Sequence, residues 1–320
     1  MAIHFQILIA RNRRNSWILL CGFTLFVVLL GGLIGYAWAG TYGGAAGEAA
    51  LPYALFAMAV AFTVAVISGA ASYYGGASAV LAMSRARPIT KQDDPQLYNV
   101  VEEMAIAAGL PVPKVYLIDD TAPNAFATGR DPEHGVIAIT SGLRQKLSRD
   151  ELQGVIAHEM SHIRNFDILF AVLMATLVGL VVLLCDMLLR SLAWGRWGGA
   201  RSRRSRSSGG AAVLLIVVVA IVLSIIAPIL AKVIEMAFSR QREYLADASA
   251  VDLTRNPDGL IGALVKISGD KDVLEVANRA TAPMYFVHPI KSFEERASSI
   301  LDSHPPIQDR IRRLASLKGV

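Results

Sequence analysis

The sequence predicts an integral membrane α-helical protein of about four transmembrane segments carrying a mostly α, α+β polar domain, and three observations predict it. Long uncharged apolar runs alternate with polar blocks. Arginine and lysine gather at the ends of those runs. In the first large polar block, His158-Glu159-Met160-Ser161-His162 places two histidines one helical turn apart, the spacing at which they can share a metal ion.

At 54% hydrophobic and 18% charged residues, the chain is too apolar for an ordinary soluble domain. Residues 17–38 form an apolar run of about the 20 residues needed to cross the hydrocarbon. Trp17 and Trp38 at its ends suit the membrane interface, and its length exceeds the apolar stretch of a cleaved signal peptide. Residues 51–83 form a second uncharged run, long enough to span with tilt or to continue as a buried helix. Arg11, Arg13 and Arg14 precede the first span, and Arg85, Arg87 and Lys91 follow the second. The Gly-rich connection at 40–50 has no Lys or Arg, so the positive-inside rule puts both flanks in the cytoplasm. Residues 1–84 are thus expected to form a two-helix anchor.

The first polar block, 85–167, opens with Asp94-Pro95, a helix start, and Ala108-Gly109, a helix end, around Leu97, Val100, Val101, Met104 and Ala105 at helical spacing. Residues 114–119 and 135–139 read as short strands. Ser148 followed by Glu151 is a capping box that starts a helix through His158 and His162. Average composition yields such an H-E-x-x-H in roughly one chain in a hundred of this length, so its context has to carry it.

Residues 168–185 and 211–231 are the third and fourth apolar candidates, giving a hairpin over 168–231 that is either fully transmembrane or packed on the cytoplasmic side. Arg196, Arg201, Arg203, Arg204 and Arg206 lie in its loop, against the charge rule for the full crossing, which is nevertheless the favoured reading. This Arg/Ser/Gly run has no interleaved aromatic residue. It predicts contact with anionic lipid headgroups, and nucleic acid is not an expected partner. Cys21 and Cys185 both fall in apolar segments and indicate neither a disulfide nor a metal site.

The second polar block, 232–320, must join the first in one domain if both bind the same metal. Glu243 and Asp247, four apart, suit a third zinc ligand and a carboxylate that orients a ligand histidine. Asn256-Pro257 ends their helix, and further helices are expected over 260–267 and 305–317. The expected centre holds one Zn2+ per chain between His158, His162 and Glu243, leaves the fourth position to water, and uses Glu159 as general base. His4 reads as interfacial, His134 as a solvated turn and His288 as structural.

Taken together, the two apolar spans, Asn124-Ala125-Phe126-Ala127-Thr128-Gly129, the H-E-x-x-H helix, two more spans, Arg242-Glu243-x3-Asp247, His304-Pro305-Pro306 and Arg310-Ile311 resemble the HtpX-type membrane zinc metallopeptidases, relatives of the CaaX prenyl-protein endopeptidases. The resemblance spans most of the chain. It implies a zincin-like cytoplasmic peptidase domain in a multi-pass protein of the plasma (bacterial inner) membrane. The implied activity is endopeptidase action on unfolded or membrane-inserted polypeptides, in membrane-protein quality control and stress response. It also implies that Asn124 belongs to a strand edge that holds substrate by main-chain pairing, where spacing alone leaves a turn with a satisfied asparagine equally open. His304 and Arg310 become candidates for stabilising the oxyanion, against a helix cap and a structural salt bridge. A CaaX-type prenyl-protein endopeptidase and a zinc-binding membrane scaffold without turnover are the alternatives. Oligomeric state has no signature in the sequence.

Overall fold

The computed structural model describes residues 2–42, 47–173, 240–270, 272, 274, 284–286 and 305–317. The chain divides into two compact units, one of residues 1–16, 73–175 and 234–320, the other of residues 17–72 and 176–233.

Two long helices, α1 (Ala2–Tyr42) and α2 (Leu51–Met83), supply the described part of the second unit through their residues 17–42 and 51–72, with a 3-10 turn at Gly47–Ala50 before α2, while residues 2–16 and 73–83 belong to the first unit. Both are long and apolar enough to cross a membrane, over Asn12–Leu33 and Glu48–Met83. Trp17, Ile18, Leu25, Leu29, Leu55, Phe56, Phe62 and Ile67 are exposed along them. Water would penalise that much apolar surface, and lipid does not. The two helices approach closely through small residues: a Cβ on Gly35 would stand 2.5 Å from Ala57 Cβ and 2.7 Å from the Tyr53 carbonyl oxygen. Such contacts bind helices where no hydrophobic force acts between them. Apart from residues 168–173, the third and fourth apolar candidates, with Cys185, lie outside the described residues.

The first unit is built on a four-stranded sheet of β1 (Arg87–Pro88), β2 (Lys114–Ile118), β3 (Ala125–Thr128) and β4 (Val136–Thr140), in the order β1-β2-β4-β3. β2 and β4 run parallel, while β1 on β2 and β3 on β4 are antiparallel. β3 is therefore an edge strand. The two-residue β1 is too short to leave a period in the sequence. Between β1 and β2, α3 (Pro95–Ala108) starts where the Asp94 side chain accepts from Leu97 N and ends at Gly109, φ 66°. Its buried face is Leu97, Val100, Val101, Met104, Ala105 and Ala108, the helical period of the sequence.

After β4, the short α4 (Ser141–Lys146) leads into α5 (Arg149–Arg164). Ser148 and Glu151 form the reciprocal capping box, and Lys266 reaches Glu151 at 2.7 Å from a neighbouring helix. Nearly all of α5 from Leu152 to Ile163 is buried. It packs against α3, against α6 (Arg240–Thr254) and against α7 (Pro257–Ser268). Gly154 makes the α5–α7 approach possible, since a Cβ there would meet Leu260 N at 2.7 Å. Asn256 caps α7, and α8 (Ile307–Ala315) closes over α6 and α7. One apolar core joins these helices to the sheet through Leu97, Ile139, Val155, Ile156, Met160 and Leu264.

Candidate metal centre

Helical periodicity on α5 directs the His158 and His162 rings to one side, and α6 delivers Glu243 to them. His158 Nε2 lies 3.1 Å from His162 Nε2, 3.5 Å from Glu243 Oε2, and His162 Nε2 lies 3.7 Å from Glu243 Oε1. Among the described residues, these three offer donor atoms that all fall within 4.8 Å of one another. With zinc–ligand bonds near 2.0–2.1 Å, adjacent tetrahedral ligand atoms stand about 3.3–3.4 Å apart. The donor set, two imidazole nitrogens and a carboxylate at nearly that spacing, fits a metal of the zinc kind.

Each histidine is aimed by a carboxylate behind it. Asp247, one turn after Glu243 on α6, lies 3.0 Å from His158 Nδ1 through Oδ1. Arg310 from α8 holds Asp247 in turn, with Nε on Oδ2 at 2.9 Å and Nη2 on Oδ1 at 2.6 Å. Its Nη1 donates to the Phe286 carbonyl at 3.2 Å, and its guanidinium lies over the Phe286 ring. That ring meets His158 edge-on at 4.9 Å. On the other side, Asp167 Oδ2 lies 3.1 Å from His162 Nδ1. Asp167 also receives Asn12 Nδ2 at 2.6 Å, and Arg242 Nε approaches it at 3.5 Å. When the Nδ1 atoms donate to Asp247 and Asp167, both Nε2 lone pairs turn toward Glu243.

Glu159 is buried beside the histidines, and its carboxylate accepts a hydrogen bond from the Ala127 main chain. Burial raises its pKa above the ordinary carboxylate value, and the neighbouring Glu243 adds to the rise against the opposing pull of His158 and His162. Burial would lower the His162 pKa, but the hydrogen bond to Asp167 and the Glu243, Asp167 and Glu159 charges outweigh it and bring it to about 9. Asp247 is held below the usual carboxylate range despite its burial, chiefly by Arg310 and the His158 hydrogen bond.

A cavity opens on this group, walled by His158, Glu159, His162, Glu243, Arg242, Ala127 and Phe286 among others. Strand β3 forms one side of it. Thr140 N donates to the Asn124 carbonyl, so the N–H and C=O of Asn124, Phe126 and Thr128 turn toward β4 and those of Ala125 and Ala127 turn outward. Ala125 N meets the Asn124 side-chain oxygen at 3.0 Å, and the Ala125 carbonyl accepts from Phe286 N at 2.8 Å.

The residues singled out in the sequence thus separate into groups. His158, Glu159, His162 and Glu243 come together around the cavity, with Asp247 behind His158. Asn124 is buried at the start of the edge strand, where its side chain serves its own backbone. Arg310 is not on the cavity wall, because its donors are engaged with Asp247 and the Phe286 carbonyl. This is the salt-bridge reading of Arg310, in a pair that itself lies against His158 Nδ1. His304 and His288 lie outside the described residues. His134 sits in a 3-10 turn, Pro132–His134, with its ring and backbone N–H on Asp131. Sequence reasoning missed Asp167 and Asn12. Asp167 follows the helix end by three residues, beyond any helical spacing from His162, and Asn12 lies 155 residues from Asp167.

Comparison with known proteins gives a consistent set of similarities. The family model described as Peptidase family M48 matches residues 91–318. The chain is 47% identical over 313 residues to a protein of Listeria innocua named Protease HtpX homolog, covering 97% of this chain and 98% of that one. A protein of Dictyoglomus thermophilum bearing the same name is 42% identical over 306 residues, covering 96% and 92%. The crystal structure of S. mikatae Ste24p aligns with a TM-score of 0.48 at 18% identity, over 98% of this chain and 67% of that one.

Proposed function

The chain belongs to peptidase family M48, and from that premise we propose a membrane-bound zinc endopeptidase with His158, His162 and Glu243 as metal ligands and Glu159 as general base. That it is a membrane metalloprotease follows from the family and from near full-length similarity to proteins named Protease HtpX homolog. The observation that carries the residue assignment is the convergence of the two Nε2 atoms and the Glu243 carboxylate in the cavity that Glu159 also lines.

Bound zinc supplies a Lewis acid that polarises the scissile carbonyl and acidifies water. The rest falls to the chain. Glu159 takes the proton of the attacking water and delivers it to the leaving amine, and its raised pKa suits it to hold that proton between the two transfers. Asp247 and Asp167 fix the tautomers of His158 and His162. On the outward edge of β3, Ala125 N is taken by Asn124 Oδ1, the Ala125 carbonyl by Phe286 N and Ala127 N by Glu159, so among the described residues the Ala127 carbonyl beside the cavity is the main-chain group left to pair with an extended substrate, a mode of binding that reads backbone more than side chains.

In this reading, residues 85–167 and 232–320 build one peptidase domain, 1–84 anchors it, and 168–231 forms a membrane hairpin. The arginines and lysine flanking the apolar spans of α1 and α2 support a multi-pass arrangement with the active site in the cytoplasm. The substrates are unfolded or membrane-inserted polypeptides, which a tethered site meets at high effective concentration, and the role is quality control of misfolded membrane proteins under stress. The relatives' names and the presence of Glu159 do not favour a CaaX-type prenyl-protein endopeptidase or a scaffold without turnover.

The test is cleavage of an unfolded membrane protein by detergent-solubilised, zinc-loaded chain, set beside Glu159→Gln and a chelator-treated sample. Cutting should need the metal and fall by about 10²-fold or more in Glu159→Gln with zinc retained. A Glu159→Gln chain that cuts like wild type sinks the assignment of the base.

A further inference from the structure

At the end of α5, two residues past the Asn165 cap, the chain must bring Asp167 back to His162. It does so through Phe166 at φ 59°, a left-handed conformation that a residue with a Cβ adopts at a cost. Three contacts from residues 12 and 13 of α1 hold this turn, all within one compact unit. The buried Asn12 amide donates to the Asn165 carbonyl at 2.9 Å and to Asp167 Oδ1 at 2.6 Å. Arg13 lies over the Phe166 ring, 5.4 Å from its centroid.

The bonding on Asp167 is divided between its oxygens. Oδ1 takes Asn12 Nδ2 and the more distant Arg242 Nε, while Oδ2 faces His162 Nδ1. Both partners of the Asn12 amide are acceptors, so the nitrogen has to be the atom that faces them. Its two hydrogens are then spent, one on the turn and one on the carboxylate. A carboxylate fixed at one oxygen cannot swing, and its other oxygen stays on the imidazole.

We propose that Asn12 is a positioning residue for the metal centre, acting through Asp167 on the His162 ring, so that the residue opening the apolar span of α1 sets how well the peptidase holds its zinc. This rests on the zinc reading above. It gives α1 a task beyond anchoring.

The test compares zinc affinity, by competition with a chromogenic chelator on the full chain in detergent, for wild type, Asn12→Ala, Asn12→Asp, Asp167→Asn and Asn12→Ala/Asp167→Asn. Ser16→Ala is the control, because among the described residues Ser16 Oγ bonds the Asn12 carbonyl alone, at 3.0 Å, and does not touch the turn. The expected result is a loss of about 10-fold or more in Asn12→Ala, a similar or greater loss in Asn12→Asp, which keeps the shape and lacks the donor, and none in Ser16→Ala. The double variant should bind no more weakly than Asp167→Asn alone, because both changes break one chain of contacts. A cobalt(II)-loaded Asn12→Asp chain should also show a shifted visible spectrum if the His162 ring has turned.

Wild-type affinity in both Asn12 variants, or fully additive losses in the double variant, overturns the proposal. If Asn12→Ala fails to fold, the isosteric Asn12→Asp decides by the same readouts. A folded wild type that takes up no zinc fails the metal assignment itself and takes this proposal with it, a result distinct from normal uptake that is indifferent to Asn12.

Discussion

Arg310 clasps Asp247 with two nitrogens, at 2.9 and 2.6 Å, and both side chains are buried. The pair lies directly behind His158. Removing one partner strands the other charge in the protein interior, which costs far more than an exposed ion pair is worth. Arg310→Ala should therefore lower stability by about 3–5 kcal/mol, read as the shift of a denaturant midpoint. Arg310→Lys should recover little, because an ammonium cannot make the fork-to-fork contact. A near wild-type midpoint in Arg310→Ala would mean that Asp247 has another source of compensation.

The pH dependence of metal uptake should report His162. With its pKa raised from 6.5 to about 9, the ring must give up a proton to become a ligand, so zinc affinity rises with pH toward about 9 and levels beyond it. The same proton stabilises the metal-depleted fold in the opposite sense. A raised folded-state pKa gives a contribution that is complete below about pH 6.5 and disappears as the pH climbs through about 9. Chelator competition and thermal unfolding of depleted protein across pH 6–9.5 measure the two trends. Flat profiles in both would contradict the His162–Asp167 contact.

Gly154 is a geometric test of how α5 is seated. A side chain there meets the Leu260 backbone at 2.7 Å from Cβ alone. Gly154→Val should push α5 off α7 and cost about 1–3 kcal/mol, the usual range for overpacking a filled interior. Calorimetry on the folded variant would show it, and zinc affinity should fall as well, since α5 carries both histidines.

Proline at 127 separates fold from chemistry. The main-chain groups of Ala127 face away from β4, so Ala127→Pro removes no ladder bond from the sheet, and edge strands tolerate proline for that reason. It does remove the donor that Glu159 accepts from. Turnover should drop at least 10-fold while circular dichroism and zinc content stay those of wild type. Loss of the helical signal would show that this edge is needed for folding.

The elements that position the site were legible where local chemistry dictates them. Asp94-Pro95 and Gly109 bound α3, Ser148 and Glu151 start α5, and the four-residue spacing of His158 and His162 survives as shared direction. Arg310 was harder. Its charge is visible in the sequence, but its partner depends on how α8 lies against α6, and only a fold supplies that. The left-handed turn at Phe166 left no signal, because the residues that favour such a conformation are glycine and asparagine, and here a phenylalanine is held in it by contacts from residues 12 and 13.

The capping box at Ser148 and Glu151, tied to α7 through Lys266, closes the free end of the helix that bears both histidines. A ligand pair on a helix that cannot fray is ordered before any ion arrives, so little chain entropy remains to be lost on binding. Small zinc modules collapse when stripped because the ion organises their chain. On the proposed zinc assignment the chain organises the ion, and stripping should silence the protein reversibly, leaving a folded precursor that regains activity when zinc is restored.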